Sequence, residues 1–210
     1  MHASDDVTRM RLVGGNLGLD FINTRTGPPQ GDPVDDLLDG YAGLVAWAAY
    51  AGVVSKNAAA RLRRLAHEDP PAADAAFARS RGIRDDLDEV FRALVEGREA
   101  DDLVLRRLRE DESEALRSAR LRPGAVFAWT WDEDRSLAGP LWPVVHEAIR
   151  LLLTGPLDRI KQCGGCRYLF LDESRNHARR WCSMEDCGTD EKIRRYVTTR
   201  RAARELRTLG

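Results

Sequence analysis

The sequence lacks the features that would place it in a membrane or outside the cell. It has no uninterrupted apolar run of about 18 residues, the length that a membrane-spanning helix requires, so we predict no membrane partner. Its first residues include Asp5, Asp6, Arg9 and Arg11 and no apolar stretch, so we predict no secretory leader. We therefore expect a cytoplasmic protein.

Cysteine is also absent from the first 162 residues, and all four cysteines of the chain lie between Cys163 and Cys187. Cys163 and Cys166 form one close pair, and Cys182 and Cys187 form another after a gap of fifteen residues. Two close pairs separated by about 15 to 20 residues are typical of a tetrahedral zinc site. We predict that these four cysteines bind one structural Zn²⁺.

Three other sites use similar cysteine patterns: two disulfides, a redox pair and a rubredoxin-like iron centre. Disulfides are disfavoured because the chain has no export signal, and the redox motif normally stands near a βαβ unit. Catalytic zinc is disfavoured because four thiolates would leave no open position. We expect Gly164 and Gly165 to turn the backbone at φ values that a residue with a Cβ resists.

His177 is the only histidine close to the cysteines, and it raises two further hypotheses. One is a site of three cysteines and one histidine, and the other is a nuclease that uses His177 as a base beside Asn176. Both are disfavoured because four cysteines already complete the coordination shell. We predict no enzyme, since no pairing of a nucleophile with a base stands out.

The charges are divided unevenly along the chain. Residues 159–210 contain 13 Lys and Arg against 7 Asp and Glu, whereas the remainder contains 20 against 27. A basic segment beside an acidic body suggests a polyanionic partner, although a salt-bridged contact between the halves or a solvated tail would also fit. Arginine dominates the basic segment and suits bidentate contacts to phosphate or guanine. We predict that double-stranded DNA contacts Arg175, Arg179, Arg180, Arg194, Arg195 and Arg201.

Apolar residues at helical spacing predict several helices before the cysteines. One contains Tyr41 and Leu44, begins at a cap formed by Asp35 or Asp36, and ends at Gly52. Ser55 caps a second helix, Pro70-Pro71 opens a third that ends at Gly97, and a fourth covers residues 101–114 with apolar contacts from Leu103, Leu105 and Leu108.

After the fourth predicted helix, the spacing of apolar residues changes from helical to strand-like. Residues 116–122 and 125–131 flank Pro123-Gly124 and are rich in β-formers, which predicts a hairpin. Another helix enters near Pro140 or Pro143 and stops at Gly155-Pro156. We interpret the tryptophans Trp47, Trp129, Trp131 and Trp142 as core or hairpin packing. After the cysteines, Thr189 is predicted to cap a final basic helix whose Ile193, Tyr196 and Val197 dock near the metal.

These elements predict a mainly α fold with a small β-hairpin. We expect a helical N-terminal domain at residues 1–158 and a four-cysteine zinc finger at residues 159–210, ending in a basic helix.

The cysteine region resembles the CGNR-type zinc finger. The matching residues are Cys163, Cys166, Leu169-Phe170-Leu171-Asp172, Ser174-Arg175-Asn176, the run from Arg179 to Met184, and Cys187-Gly188. The segment Leu19-Asp20-Phe21-Ile22-Asn23-Thr24 and the helices after it resemble the ABATE domain that usually accompanies this finger. The sequence departs from the naming motif at Thr189-Asp190, where Asn-Arg is usual, which puts an anion where the family has a cation.

The resemblance implies a stress-responsive transcription regulator whose basic finger binds DNA. The acidic domain would then sense a small-molecule effector or form a homodimer. The alternative hypothesis is a zinc-stabilised protein-interaction module that does not bind nucleic acid and whose arginines meet an acidic partner.

Overall fold

The fold combines α-helices with short antiparallel strand pairs. The computed structural model describes Val7, residues 9–132 and residues 136–208, except for the side chains of Arg195 and residues 201–208. The helices are α1 Leu17–Ile22, α2 Tyr41–Tyr50, α3 Lys56–Glu68, α4 Pro70–Glu96, α5 Asp102–Ser118, α6 Leu141–Thr154 and α7 Thr189–Thr208. The paired strands are β1 Arg25–Thr26 with β2 Asp35–Asp36, β3 Ala119–Arg122 with β4 Ala128–Trp131, and β5 Ile160–Gln162 with β6 Leu169–Leu171.

The short helix α1 lies at the centre of the molecule, packed against α4, α6 and β6. Asn16 caps it by accepting the Gly18 N–H at 2.9 Å. A Cβ on Gly18 would stand only 2.5 Å from Cβ of Ala148, so glycine lets α1 pass directly against α6. Leu19 and Phe21 are fully buried, and Phe21 packs on Trp47 with ring centroids 4.9 Å apart.

Three helix boundaries agree with the sequence predictions. Ser55 caps α3 by accepting the Ala58 N–H. Pro70 begins α4, where its missing N–H costs no hydrogen bond. Gly97 ends α4 in the left-handed region at φ 69°, a conformation in which glycine avoids Cβ strain.

The cap predicted for α2 is wrong. Asp35 and Asp36 form strand β2 instead, and α2 begins after Gly40 without a side-chain cap. Asp36 accepts two hydrogen bonds from the fully buried guanidinium of Arg84, at 2.8 and 2.5 Å. Asp36 therefore forms a long-range ion pair with Arg84, and it does not cap α2 as the local sequence pattern predicted.

The buried face of α5 also differs from the prediction. Leu103 and Leu105 are 59% and 44% exposed, whereas Val104, Leu108 and Ala115 are buried. The helix continues to Ser118, so β3 is shorter than the predicted strand.

The hairpin and the helix after it are confirmed. Strand β3 pairs with β4 in the register Ala119↔Trp131, and α6 begins after Pro140 and ends at Gly155. Trp47 and Trp142 lie in the core, while Trp129 in the hairpin is 41% exposed. None of the helices in the described part of the chain combines the length and apolar character needed to span a bilayer.

The hairpin β5–β6 joins the cysteine region to the helical body. Its register is Ile160↔Leu171 and Gln162↔Leu169. Leu169 and Leu171 pack into the main core, whereas Phe170 between them packs with the cysteines. Successive strand residues point to opposite faces, so this one strand is shared by the helical core and the cysteine cluster.

Candidate zinc centre and basic surface

The four cysteine sulfurs lie together. They fall within 4.8 Å of one another, and Sγ of Cys182 stands 3.6 Å from Sγ of both Cys166 and Cys187. A tetrahedron with Zn–S bonds of about 2.3 Å has edges of about 3.8 Å, so the cluster has the size that zinc requires. The cysteines are free, and these separations are far above the S–S bond of about 2.05 Å in a disulfide.

The surrounding backbone favours the thiolate form of Cys163. The N–H groups of Cys182 and Gly165 donate to Sγ of Cys163 at 3.2 and 3.4 Å. Contacts from the Cys166 and Cys182 thiols and these N–H groups hold the pKa of Cys163 below its usual range. Four thiolates this close repel one another unless a cation lies between them, and zinc supplies that charge.

Gly164 and Gly165, between the first two ligands, are needed because a side chain would not fit there, and not because the backbone has a positive φ angle. Positive φ values in the described chain occur at Gly15, Gly27, Gly31, Gly52, Gly97 and His177, so the predicted reason for Gly164 and Gly165 is wrong. A Cβ on Gly164 would stand 2.8 Å from the Trp181 ring, and one on Gly165 would stand 3.1 Å from Cβ of Cys187. The turn therefore packs directly against the second ligand pair.

Asp172 organises the loop between the two ligand pairs. It is fully buried and accepts hydrogen bonds from the Ser174 N–H and hydroxyl at 3.0 and 2.6 Å. It also accepts from the ammonium of Lys161 at 2.6 Å and from the Arg179 N–H at 3.1 Å. Burial alone would raise the pKa of Asp172, but these bonds outweigh it and lower the pKa, so the carboxylate stays ionised.

Arg179 is engaged with the protein itself. Its guanidinium donates to the carbonyls of Trp181 and Cys182 and lies 4.3 Å from the centre of the Phe170 ring. These contacts connect the loop to a zinc ligand. Arg179 is one of the six arginines predicted to contact DNA, but these contacts give it a structural role.

The other predicted contact residues are placed differently. Arg175, Arg180 and Arg194 are exposed, with Arg180 stacked 5.4 Å from the Trp181 ring and Arg194 paired with Glu191 at 3.1 Å. The side chains of Arg195 and Arg201 lie outside the described residues. Arg175 and Arg180 lie in the loop between the two cysteine pairs, and Arg194 lies on the helix that follows the second pair.

The first turns of the final helix α7 are more exposed than predicted. Ile193, Tyr196 and Val197 are 57%, 58% and 42% exposed, so the prediction that they dock near the metal is wrong. Thr189 is itself helical rather than a cap, and its hydroxyl donates to the Met184 carbonyl at 3.0 Å. The ligand turn Met184–Gly188 is the element that α7 chiefly contacts in the described chain.

His177 is exposed and does not join the cysteine cluster. Its backbone carbonyl accepts from Lys161 at 2.5 Å. The described residues thus supply a four-sulfur shell rather than one that contains histidine.

Two residues remote in sequence complete the surroundings of the site. Arg11 reaches the second ligand turn, pairing with Glu185 at 2.5 Å and with Asp186 at 3.4 Å. Asn23 exchanges two hydrogen bonds with the backbone of Leu169, at 2.8 and 2.9 Å. Pattern reasoning missed both roles, although Asn23 stands in the segment that resembles the ABATE domain.

Comparison with known protein families agrees with this architecture. The family model ABATE, described as "Putative stress-induced transcription regulator", matches residues 15–156. The chain belongs to the ABATE family. The CGNR zinc finger model matches residues 159–201, immediately after the ABATE domain. No curated protein matches the chain.

The family matches and the sulfur geometry together define one structural zinc site. Cys163, Cys166, Cys182 and Cys187 would hold the ion, which would supply positive charge and folding free energy rather than an open coordination position. The ABATE domain carries this finger through β5–β6, so the metal fixes the loop and turn from which the exposed arginines emerge.

Proposed function

We propose that this protein regulates transcription by binding double-stranded DNA through the arginines of its CGNR zinc finger. The observation that carries the proposal is the exposure of Arg175, Arg180 and Arg194 on segments anchored by the zinc ligands. Guanidinium groups held on a rigid support lose little conformational freedom when they meet phosphates.

The local charges favour this use of the finger. Arg11 pairs with Glu185 and Asp186 on the second ligand turn and offsets part of their negative charge, so these carboxylates repel a polyanion less. Asp190 stands exposed in the first turn of α7, where the helix dipole stabilises it. We therefore assign no DNA contact to position 190. We also expect no catalysis at the zinc, because four thiolates complete its shell.

The experiment measures binding of the zinc-loaded full chain to a random duplex pool by fluorescence anisotropy at two salt concentrations. We expect affinity to fall steeply as salt increases, because phosphate contacts release counterions. The double variant Arg175→Gln/Arg180→Gln is expected to bind more weakly and to reduce the slope of log affinity against log salt by about 0.9 for each lost contact.

The matched control is Arg63→Gln/Arg64→Gln, which removes the same charge from exposed positions of α3. It should leave binding almost unchanged, and both variants should retain one zinc. Absence of binding at low salt, or equal losses in the two variants, contradicts the proposal.

A second candidate function is a protein-interaction module without nucleic-acid binding. It is favoured by the exposed side chains of Ile193, Tyr196 and Val197 on α7, since an exposed apolar patch is typical of an interface. Sedimentation of the full chain separates the candidates. Self-association that Ile193→Ser/Tyr196→Ser abolishes, with Leu153→Ser on α6 as the control, supports an interaction module if the chain does not bind DNA at low salt. DNA binding that persists in Ile193→Ser/Tyr196→Ser supports the first candidate.

A further inference from the structure

A cavity of about 310 Å³ lies between the hairpin β3–β4 and the turn that joins α2 to α3. Its described walls include Leu17 at the start of α1, the turn at residues 51–54, residues 129–131 of β4, and Pro143 of α6. Cavities that hold small molecules range from about 300 to 1,000 Å³, so this one suits a molecule of one or two rings. We call it the hairpin cavity.

The hairpin cavity has no charged wall among the residues that the structure describes. Charged residues make up 32% of the whole chain, so an uncharged wall is unlike the rest of the surface. A charged ligand group that leaves water for such a wall finds no partner and loses hydration. The ligand chemistry that fits the wall is therefore uncharged.

Two tryptophans stand on one face of the hairpin beside this cavity. Trp129 and Trp131 alternate along β4, so their side chains point to the same face. Trp131 is fixed in place, because its Nε1–H donates to the Ala115 carbonyl at 2.8 Å and its ring lies 5.4 Å from that of His146. Trp131 therefore orients this end of the strand.

Trp129 is the tryptophan with unused binding capacity. Its side chain is 41% exposed, and its indole N–H has no acceptor among the residues that the structure describes. Aromatic rings pair in stacked or edge-to-face arrangements that stabilise them beyond simple burial, and a tryptophan N–H normally finds an acceptor when it is covered. An aromatic ligand that carries a hydrogen-bond acceptor would satisfy both groups.

The turn on the opposite side of the cavity is held by its own backbone. The N–H groups of Val53 and Val54 both donate to the Ala48 carbonyl, at 2.8 and 3.2 Å. A Cβ built on Gly52 would meet nothing within 4 Å, so the space beside this residue is open. Because both walls are formed before a ligand arrives, binding would cost little ordering of the chain.

We propose that the hairpin cavity binds an uncharged aromatic molecule of one or two rings, which stacks on Trp129 and accepts its indole N–H. The ligand would also contact Leu17, the first residue of α1. Asn23, which follows the last residue of α1, bonds the finger at Leu169. The ligand and the finger thus contact opposite ends of the same helix. The binding itself is independent of DNA, and only a regulatory consequence rests on the proposed function.

The test is calorimetric titration of the zinc-loaded full chain, without DNA, with 2-naphthol, which is uncharged at neutral pH. We expect saturable binding with one site per chain. Naphthalene-2-carboxylate and 2-naphthylmethylammonium should each bind at least about tenfold more weakly, because the wall offers no partner for their charge. The saturated analogue 2-decalol should bind about two- to tenfold more weakly, because it cannot stack.

Three results of this titration overturn the proposal. The first is no saturable binding of 2-naphthol at millimolar concentration. The second is equal or tighter binding of either charged analogue, which would show that the ligand is not uncharged. The third is equal or tighter binding of 2-decalol, which would show that the site does not recognise an aromatic ring.

The variant Trp129→Ala should weaken 2-naphthol binding by about tenfold or more, because the stacking surface is lost. Its control is Phe127→Ala, which removes a 68% exposed aromatic ring from the same hairpin outside the described walls of the cavity and should bind normally. Val53→Phe fills the cavity from the opposite wall and should also weaken binding while Trp129 is kept. Equal losses in Trp129→Ala and Phe127→Ala contradict the proposed site.

A measurement on the unsubstituted protein covers the case in which a cavity variant does not fold. In chemical-shift mapping, 2-naphthol should move the amide resonances of Gly52 and Val53 and the indole N–H resonance of Trp129, and leave the amides of Arg175 and Arg180 in place. Shifts confined to Arg175 and Arg180 would place the probe on the finger and contradict the proposal. Self-association that Trp129→Ala abolishes, in a chain that does not bind 2-naphthol, would assign the cavity to a second copy and also overturn it.

Discussion

Asn23 and Leu169 exchange two hydrogen bonds across the boundary between the ABATE domain and the zinc finger. The amide of Asn23 donates to the Leu169 carbonyl at 2.8 Å and accepts the Leu169 N–H at 2.9 Å. Asn23 is buried, and the Gly14 carbonyl accepts the Leu171 N–H two residues further along the same strand. The helical domain therefore completes the edge of the finger's hairpin.

Substitution of Asn23 by alanine should destabilise the whole chain. It removes both hydrogen bonds and leaves a buried N–H and a buried carbonyl unpaired, at a cost of about 2 to 4 kcal/mol. Denaturant unfolding measures the change in free energy. The control is Asn57→Ala at an exposed position of α3, which should change stability by less than about 0.5 kcal/mol. Equal effects of the two substitutions would contradict the role assigned to Asn23.

Two glycine-to-alanine substitutions should have opposite effects. Gly164→Ala puts a methyl group 2.8 Å from the Trp181 ring and should weaken zinc retention against a competing chelator. Gly82→Ala lies within helix α4 where nothing stands within 4 Å, so it should stabilise the protein by about 0.5 to 1 kcal/mol. Thermal unfolding and chelator titration distinguish the two. If Gly164→Ala retains zinc as the unsubstituted protein does, the close packing of Trp181 is not required.

Asp20 should make stability depend on pH. Burial raises the pKa of its carboxyl to about 6, although the Gly14 and Val13 N–H groups partly oppose the shift. Its unfolded pKa is about 3.9, so the folded state holds the proton more tightly and the stability that this provides is lost as pH rises from about 4 to 6. The loss is about 3 kcal/mol.

The substitution Asp20→Asn should remove this dependence while keeping an oxygen acceptor for the Gly14 N–H. Denaturant unfolding from pH 4 to pH 7 should show the unsubstituted protein losing stability relative to Asp20→Asn. Asp74→Asn, at an exposed position of α4, should follow the unsubstituted curve. Parallel curves for the protein and Asp20→Asn would contradict the buried titration.

Substitutions of the neighbouring residues Arg179 and Arg180 should distinguish a structural role from a role in DNA binding. Arg179→Gln loses the contacts to the Trp181 and Cys182 carbonyls and should weaken both zinc retention and DNA binding. Arg180→Gln should weaken DNA binding alone, because its side chain is exposed and stacks on the Trp181 ring. Chelator competition and anisotropy measure the two properties. Unchanged zinc retention in Arg179→Gln would show that Arg179 does not support the metal site.

The parts of the fold that could be predicted from the sequence are those that depend on residues close together in the chain. Spacing alone identified the four cysteines, because two close pairs confine their sulfurs to a small volume. Caps and breakers such as Ser55, Pro70 and Gly97 act within one helical turn, so their effects are local as well. Of the predicted contacts Leu103, Leu105 and Leu108, only Leu108 is buried, because the face that packs inward is the one with Val104, Leu108 and Ala115.

The rest depends on pairs far apart in the chain. Asn23 and Leu169 are separated by 146 positions, and Arg11 and Glu185 by 174. Neither pair leaves a periodic signal, because the two partners meet only after the finger packs on the helical domain. No sequence pattern marks the cavity lined by Arg25, Arg92 and Arg167 either, since these residues come from three separate segments. The exposure of Ile193 and Tyr196 likewise depends on the direction in which α7 leaves the zinc turn.

The central claim is that one zinc ion bound by Cys163, Cys166, Cys182 and Cys187 holds the arginine-bearing segments in place. X-ray absorption spectroscopy at the zinc edge, on the full chain purified without added chelator, tests it most directly. The account predicts one zinc per chain surrounded by four sulfur atoms at about 2.3 Å. A shell containing nitrogen or oxygen, or a folded chain without zinc, would contradict it.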